Sequence, residues 1–229
     1  MKKLTLFSLT IILLLGCDPE SKPIQENKAS IPKKSLVQPD KTFTFDNDTV
    51  GKTPSSWSNH FTGKGGLGKW EIRQDNSNKV LAQLSQKNLG YHFDVIVCDD
   101  TSYQDLEVSV KFKAVEGKED QGGGPVWRYQ DSDNYYIARA NPLENNFRVY
   151  KVAEGHRKQL ASANIRIQTG EWHSISIKMT DNHLQCFYND KKYLDVVDDT
   201  FKNGGKIGLW TKADAVTYFD NLEISRIER

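Results

Sequence analysis

Alternation of apolar and polar residues at period two runs through most of the chain. Leu106, Val108, Val110 and Phe112 alternate with Glu107, Ser109, Lys111 and Lys113, which predicts a strand with one buried face. Ile175, Ile177 and Met179 alternate with Ser and Lys in the same way, and shorter runs predict strands at 43–46, 70–73, 80–84, 92–97, 147–152, 206–210 and 216–224. Turn clusters separate them, among them Asn76-Ser77-Asn78, Glu116-Gly117-Lys118, Asp131-Ser132-Asp133-Asn134, Glu154-Gly155, Asn189-Asp190 and Asn203-Gly204-Gly205. No stretch holds a 3.6-residue period. Strands on the order of a dozen, joined by connections too short for crossovers, predict an all-β sandwich or barrel of antiparallel sheets. Residues 122–150 read as three short strands and two tight turns at the centre of that sandwich, lining its groove.

The N-terminus departs from this pattern. Met1-Lys2-Lys3 precedes an apolar run from Leu4 to Leu15, too short to span a bilayer and shaped like a signal sequence. The run ends in Leu14-Leu15-Gly16-Cys17, which resembles a bacterial lipobox. The resemblance implies that residues 1–16 are a signal peptide and that Cys17 becomes a diacylated and then N-acylated terminus, because several chains anchor where one does not. The following residues, to 41, are rich in Lys, Ser, Pro and Gln and are expected to form a flexible tether. One domain is expected over 42–229, lipid-anchored in the bacterial cell envelope, on the periplasmic or outer face.

Charge narrows the partners. The net charge is +1, and no basic stripe interleaves with aromatics, so a nucleic-acid partner is not expected. Cys98 and Cys186 could pair in an exported protein, but Cys186 lies in phase with Leu184 and Tyr188 and reads as a small buried hydrophobe. Gly63-Lys64-Gly65-Gly66-Leu67-Gly68-Lys69 has a phosphate-loop spacing but is followed by Trp70 and a strand, where Ser or Thr and a helix are required. It is read as a loop. The histidines His60, His92, His156, His173 and His183 are scattered and read as surface or turn residues. The acidic pairs Asp99/Asp100, Glu119/Asp120, Asp131/Asp133 and Asp198/Asp199 fall in turns and read as solvated turn chemistry. No organic cofactor is expected.

The segments GGGPVWRYQDSDNYYIARANPLENNFRVYKV and GGKIGLWTKADAVTYFDNLEI resemble a bacterial family of concanavalin A-like jelly-roll domains. It stands near the laminin G-like folds, the 3-keto-disaccharide hydrolase-like domain and the family 16 glycoside hydrolases. The resemblance covers about 42–227 and implies two curved antiparallel sheets with a glycan groove on the concave face. The family 16 carboxylate strand E-x-D-x-x-E is missing, since the nearest strand offers only Glu107. The Asn-Ser-Gly of the keto-disaccharide type is replaced by Gly122-Gly123-Gly124, with an Arg retained at 128.

Parity then assigns faces. If Trp127 packs between the sheets with Tyr136, Ala138 and Ala140, the concave surface receives Arg128, Tyr135, Arg139 and Asn141, joined by Tyr150, Trp210 and Lys212. Aromatic faces stack on sugar C–H groups and guanidinium forks bind hydroxyls or carboxylates. The alternative is that these arginines pair with local carboxylates and the tyrosines cover the sheet. The resemblance also implies a structural Ca²⁺ where first and last strands meet, with Asp46 and Asp220 as oxygen ligands; the alternative is that each bonds turn amides. These residues point to a membrane-tethered carbohydrate-binding domain without catalysis. A hydrolase of the 3-keto-disaccharide type and a protein-interaction domain are the alternatives.

Overall fold

The computed structural model describes residues 38–228, which belong to one compact unit. Residues 1–37 are not among them, so the expected signal peptide, the expected lipidation at Cys17 and the body of the expected tether lie outside the described residues. Among the described residues every regular element is a strand and every pairing is antiparallel.

The strands in chain order are β1 Lys41–Phe43, β2 Trp57–Gly63, β3 Trp70–Asp75, β4 Asn78–Gln83, β5 His92–Tyr103, β6 Leu106–Glu116, β7 Gly123–Asp131 and β8 Asn134–Asn141. They continue as β9 Asn146–Ala153, β10 His156–Asn164, β11 His173–Thr180, β12 His183–Tyr188, β13 Lys191–Val197, β14 Gly205–Lys212 and β15 Val216–Arg226. One sheet runs β13-β12-β11-β6-β15-β4-β3, with β1 also on β15. The other runs β10-β9-β8-β7-β14-β5-β2. This is the expected two-sheet jelly roll, with first and last strands adjacent and residues 122–150 supplying three consecutive strands of the second sheet. Strands β2, β10 and β13 escape the period-two reading because WSNHFTG, HRKQLASAN and KKYLDVV carry too few apolar residues. All three are edges, where burial is incomplete and polar side chains discourage further pairing.

The space between the sheets holds Val108, Val110, Phe112, Ile175, Ile177, Met179 and Phe219 from one side and Trp127, Tyr136, Ala138, Ile207 and Leu209 from the other. The inward parity assigned to Trp127, Tyr136 and Ala138 is the observed one. Each large side chain so buried contributes about 1.5–3 kcal/mol. Cys98 and Cys186 are both buried and unbridged. One buried polar group interrupts this layer. Asp94 accepts from Gln83 Nε2 at 2.8 Å and pairs with His92 Nε2 at 2.9 Å, while His92 Nδ1 lies 2.8 Å from the Lys64 carbonyl. His92 is therefore a fully buried residue rather than a surface one. The glycine-rich loop packs directly on this pair: a Cβ at Gly68 would lie 2.2 Å from Asp94 Oδ1. Close packing, not phosphate binding, accounts for that glycine.

The outward face of the second sheet carries a second core of Phe93, Val95, Val97, Val126, Tyr129, Tyr135, Ile137, Tyr150, Val152 and Trp210. Strands β10 and β5 are five places apart in the sheet order, which in a flat sheet is roughly 24 Å. Yet the guanidinium carbon of Arg157 on β10 lies 4.8 Å from the Phe93 ring centroid on β5. The sheet therefore curls until side chains of β10 and β5 meet over its own concave face. Tyr91 fastens the curl, its hydroxyl donating to Gly155 O at 2.9 Å and accepting from Arg157 N at 2.6 Å.

Candidate functional site

Beside the curl lies a polar basin of buried side chains with an exposed rim. Its centre is Arg139 on β8, 1% exposed. Nη1 donates to Asp120 Oδ2 at 3.3 Å and Glu144 Oε1 at 3.2 Å; Nη2 donates to Glu144 Oε2 at 3.0 Å and Asn146 Oδ1 at 2.9 Å. Its Nε is buried without an acceptor. Asn141, two residues along the same face, donates to Asp120 Oδ1 at 3.1 Å. Lys212, at the end of β14, places Nζ 3.4 Å from Asp120 Oδ2 and 3.7 Å from Glu119 Oε1. Arg148 Nη1 donates to Glu144 Oε2 at 2.8 Å. The rim is accessible through Glu144 and Arg148, whose side chains are 40% and 30% exposed.

Local sequence builds this arrangement. Asp120 lies on the loop before β7, and Asp214 holds that loop by accepting from the amides of Lys118, Glu119 and Asp120 at 2.7, 3.0 and 3.0 Å. Burial alone would raise the pKa of Asp214, but these three donors outweigh it and hold it below the usual value. Gly122 is required by close approach: a Cβ there would lie 2.6 Å from Arg139 Cδ and 2.8 Å from Asp120 Oδ1. Gly122 thus leaves room for a buried guanidinium.

The two central carboxyl groups are driven apart. Burial pushes Asp120 up, against the opposing charges of Arg139 and Lys212. Glu144 is lowered to about 2, chiefly by its hydrogen bond from Arg139. Burial would depress the Arg139 pKa, but the Glu144 hydrogen bond and the Asp120 charge raise it on balance. A fixed fork, an amide, an ammonium and two unlike carboxyls within hydrogen-bond range of one another can engage several hydroxyls of one polyol at once.

Of the residues assigned to the concave surface by parity, Arg139, Asn141 and Lys212 meet in this basin and Tyr150 borders it, with its ring 5.9 Å from the Arg139 guanidinium carbon. Trp210 belongs to the same face but is fully buried, with the Arg157 guanidinium carbon 5.9 Å from its ring. Tyr135 is also fully buried, at the far end of the curl; its hydroxyl lies 2.7 Å from Thr62 Oγ1 and burial pushes its pKa up. Arg128 is not on the concave surface. It adopts φ 47°, and the β7 ladders shift register beside it on both sides. A bulge resets side-chain parity, so the side chain turns to the end of the sandwich, donating to the carbonyls of Gln104, Phe201 and Asp181 at 2.9, 2.7 and 2.7 Å. There it lines a cavity of about 340 Å³ with Asn182, Asp199 and Lys202.

The sequence reading missed Asp120, Glu144, Asn146 and Arg157. Asp120, placed among solvated turn acids, is 0% exposed. Arg157 was legible in principle: the tight turn at Glu154-Gly155 pairs it with Val152, which fixes its face.

Asp46 and Asp220 are close enough to interact electrostatically, and Asp220 is raised, first by burial. Asp220 Oδ2 accepts from Asn78 Nδ2 at 2.8 Å, and the carbonyls of Asp46 and Asp48 accept from the Lys79 ammonium at 2.8 and 2.9 Å. The Asp220 carboxylate and the carbonyls of Asp46 and Asp48 already have donors, and an ammonium stands among them. The residues present therefore fit the ion poorly, and no role is derived through it.

A family model described as the 3-keto-alpha-glucoside-1,2-lyase-like domain matches residues 44–225. No curated protein is significantly similar in sequence. Among solved structures, carbohydrate-binding module CBM66 from Bacillus subtilis superposes with TM-score 0.61 at 17% identity, over 74% of this chain and 95% of that one. Domain 4 of AbnA, a GH43 extracellular arabinanase from Geobacillus stearothermophilus in complex with arabinotriose, gives 0.54 at 13%, over 82% and 92%. A Bacteroides ovatus mixed-linkage glucan GH16 protein in complex with product gives 0.54 at 11%, over 77% and 98%. At these identities the likeness is one of fold.

Proposed function

The chain belongs to the 3-keto-alpha-glucoside-1,2-lyase-like domain family, and from that premise we propose that the basin around Arg139 binds a saccharide, in a domain tethered to the bacterial cell envelope through Cys17. The observation that carries the reading is the convergence of Arg139, Asn141 and Lys212 with Asp120 and Glu144 on the concave sheet, beside an exposed rim at Glu144 and Arg148. Donors and acceptors at this spacing suit vicinal hydroxyls, and the buried Arg139 Nε is a donor still lacking an acceptor. The fold agrees: structural neighbours named as a carbohydrate-binding module and as a domain holding arabinotriose share it.

Calorimetric titration of the full chain with methyl 3-keto-α-glucoside and methyl α-glucoside tests this reading. Glu144→Gln and Lys212→Ala each remove a charge-assisted hydrogen bond and are expected to weaken binding by about tenfold or more, measured below the melting temperature of each variant, since Glu144→Gln also removes the carboxylate that holds Arg139. Unchanged affinity in both variants would refute the site. The tether has its own check: labelled palmitate that is still incorporated after Cys17→Ser ends that part of the proposal.

A second reading has one specific support. Asp120 is raised while Glu144 is lowered, and a pair of carboxyls pushed apart is the arrangement that divides acid from base roles. Asp120 beside Arg139 and Lys212 could take the proton next to a sugar ketone while the cations meet the developing enolate charge. Loss of the C2 proton to Asp120 with cleavage of the C1–O bond and release of methanol from methyl 3-keto-α-glucoside leaves an enone; its near-ultraviolet absorbance, lost in Asp120→Asn, would favour lyase chemistry over binding alone.

A further inference from the structure

Arg157 is a cation without a counterion. It stands at the start of β10, facing the concave surface, with its guanidinium carbon 4.7 Å from the Tyr150 centroid, 4.8 Å from Phe93 and 5.9 Å from Trp210. Its backbone amide is fixed by the Tyr91 hydroxyl at 2.6 Å. Among the described residues no carboxylate pairs with it, and Nη1 is shielded from solvent with no acceptor. The contrast with Arg139 is direct, since that guanidinium has two carboxylates and an amide oxygen. Burial presses the pKa of Arg157 down, and the charges of Asp120 and Arg139 both reach it, which places it beside the basin. A guanidinium held only by aromatic faces keeps its cation–π attraction, but it leaves donors unused in a dry site, which is costly unless something accepts from them.

From this geometry we infer that the saccharide bound in the basin is acidic, a uronate whose carboxylate is taken by the Arg157 fork while its ring hydroxyls meet Asp120, Asn141 and Glu144. This rests on the saccharide-binding reading above and adds the chemical class of the ligand. A planar carboxylate matches the guanidinium fork, and an anion there completes the coordination that the protein leaves open. The local charge balance agrees: Arg139, Arg148, Arg157 and Lys212 face Glu119, Asp120 and Glu144.

The test is calorimetric titration of the full chain with methyl α-glucuronide and with methyl α-glucoside. The glucuronide is expected to bind at least about tenfold more tightly, the effect of one charge-assisted contact. Arg157→Gln should abolish that margin; Arg157→Lys, which keeps the charge and loses the fork, should retain part of it. Equal affinity for the two sugars in the unaltered chain would overturn the inference. So would tighter glucoside binding in Arg157→Gln, which would make Arg157 an internal plug over Trp210. If the glucoside binds and is weakened by Glu144→Gln, but the glucuronide has no advantage, only the acidic class is wrong. If neither sugar binds, the saccharide site itself falls and the inference with it.

Discussion

Arg128 and Arg139 lie on the two neighbouring strands of one hairpin, and each is 1% exposed. Their surroundings are opposite in kind. Arg128 donates to three main-chain carbonyls, of Gln104, Phe201 and Asp181, with Asp105 3.5 Å away. Those carbonyls come from three separate connections at one end of the sandwich, between β5 and β6, β11 and β12, and β13 and β14. Arg139 meets side chains instead, two of them titratable and one of those 40% exposed at the rim. Main-chain acceptors are set by topology and cannot change protonation or rotamer, so the first arginine is a staple. Side-chain acceptors can titrate, rotate and exchange a protein partner for a ligand, so the second is a site. Burial and charge alone do not separate a structural cation from a functional one; the kind of acceptor does.

The largest effect follows at Arg128. Arg128→Ala removes the donor to three carbonyls and the partner of the buried Asp105 carboxylate, and is expected to cost about 3–5 kcal/mol, in the range for removing one partner of a buried ionic cluster. Urea unfolding checks this. Arg128→Lys should restore only part of the loss, because a single ammonium cannot span the same fork. A variant within about 1 kcal/mol of the unaltered chain would remove the distinction between the two arginines.

How much of this comparison could be read in advance depended on whether side chains follow strand parity. Trp127, Tyr136 and Ala138 inward, with Arg139 and Asn141 outward, were legible because β8 is regular from Asn134 to Asn141. Arg128 was not, because the backbone enters the left-handed region at that residue and the count restarts. Nothing in the residue type announces that bulge. Asp120 and Glu144 were hidden for another reason. They come from loops, where polarity is the expectation, and only the Asp214 cradle and the curl of the sheet carry them inward. The curl also decides the fate of the aromatics. Tyr135 and Trp210 lie on the assigned face, yet Arg157 and the Tyr91 latch cover that part of it. Strand patterning specifies a face but not how far the sheet bends over it.

The smaller effect belongs to Arg139, and its pH dependence sharpens the contrast. Arg139→Met removes the fork but leaves partners that can respond: Glu144 turns to solvent and Arg148, and Asp120 can take a proton. The cost at neutral pH is expected to be about 3 kcal/mol, most of it from a buried Asp120 charge with only Lys212 nearby. Burial already raises the Asp120 pKa, and without Arg139 it rises further. A carboxyl whose folded pKa exceeds its unfolded value is stabilising in acid and loses that contribution as pH rises through the folded value. The penalty of Arg139→Met should therefore shrink as the pH is lowered from neutrality. The double variant Arg139→Met with Asp120→Asn removes the stranded charge and is expected to return to within about 1 kcal/mol of the unaltered chain, as replacement of whole buried ion pairs often does. Both single variants and the double, unfolded at two pH values, decide the matter. A pH-independent penalty that the double variant does not relieve would make Arg139 a second staple, and the case for a binding basin around it would lose its adjustable centre.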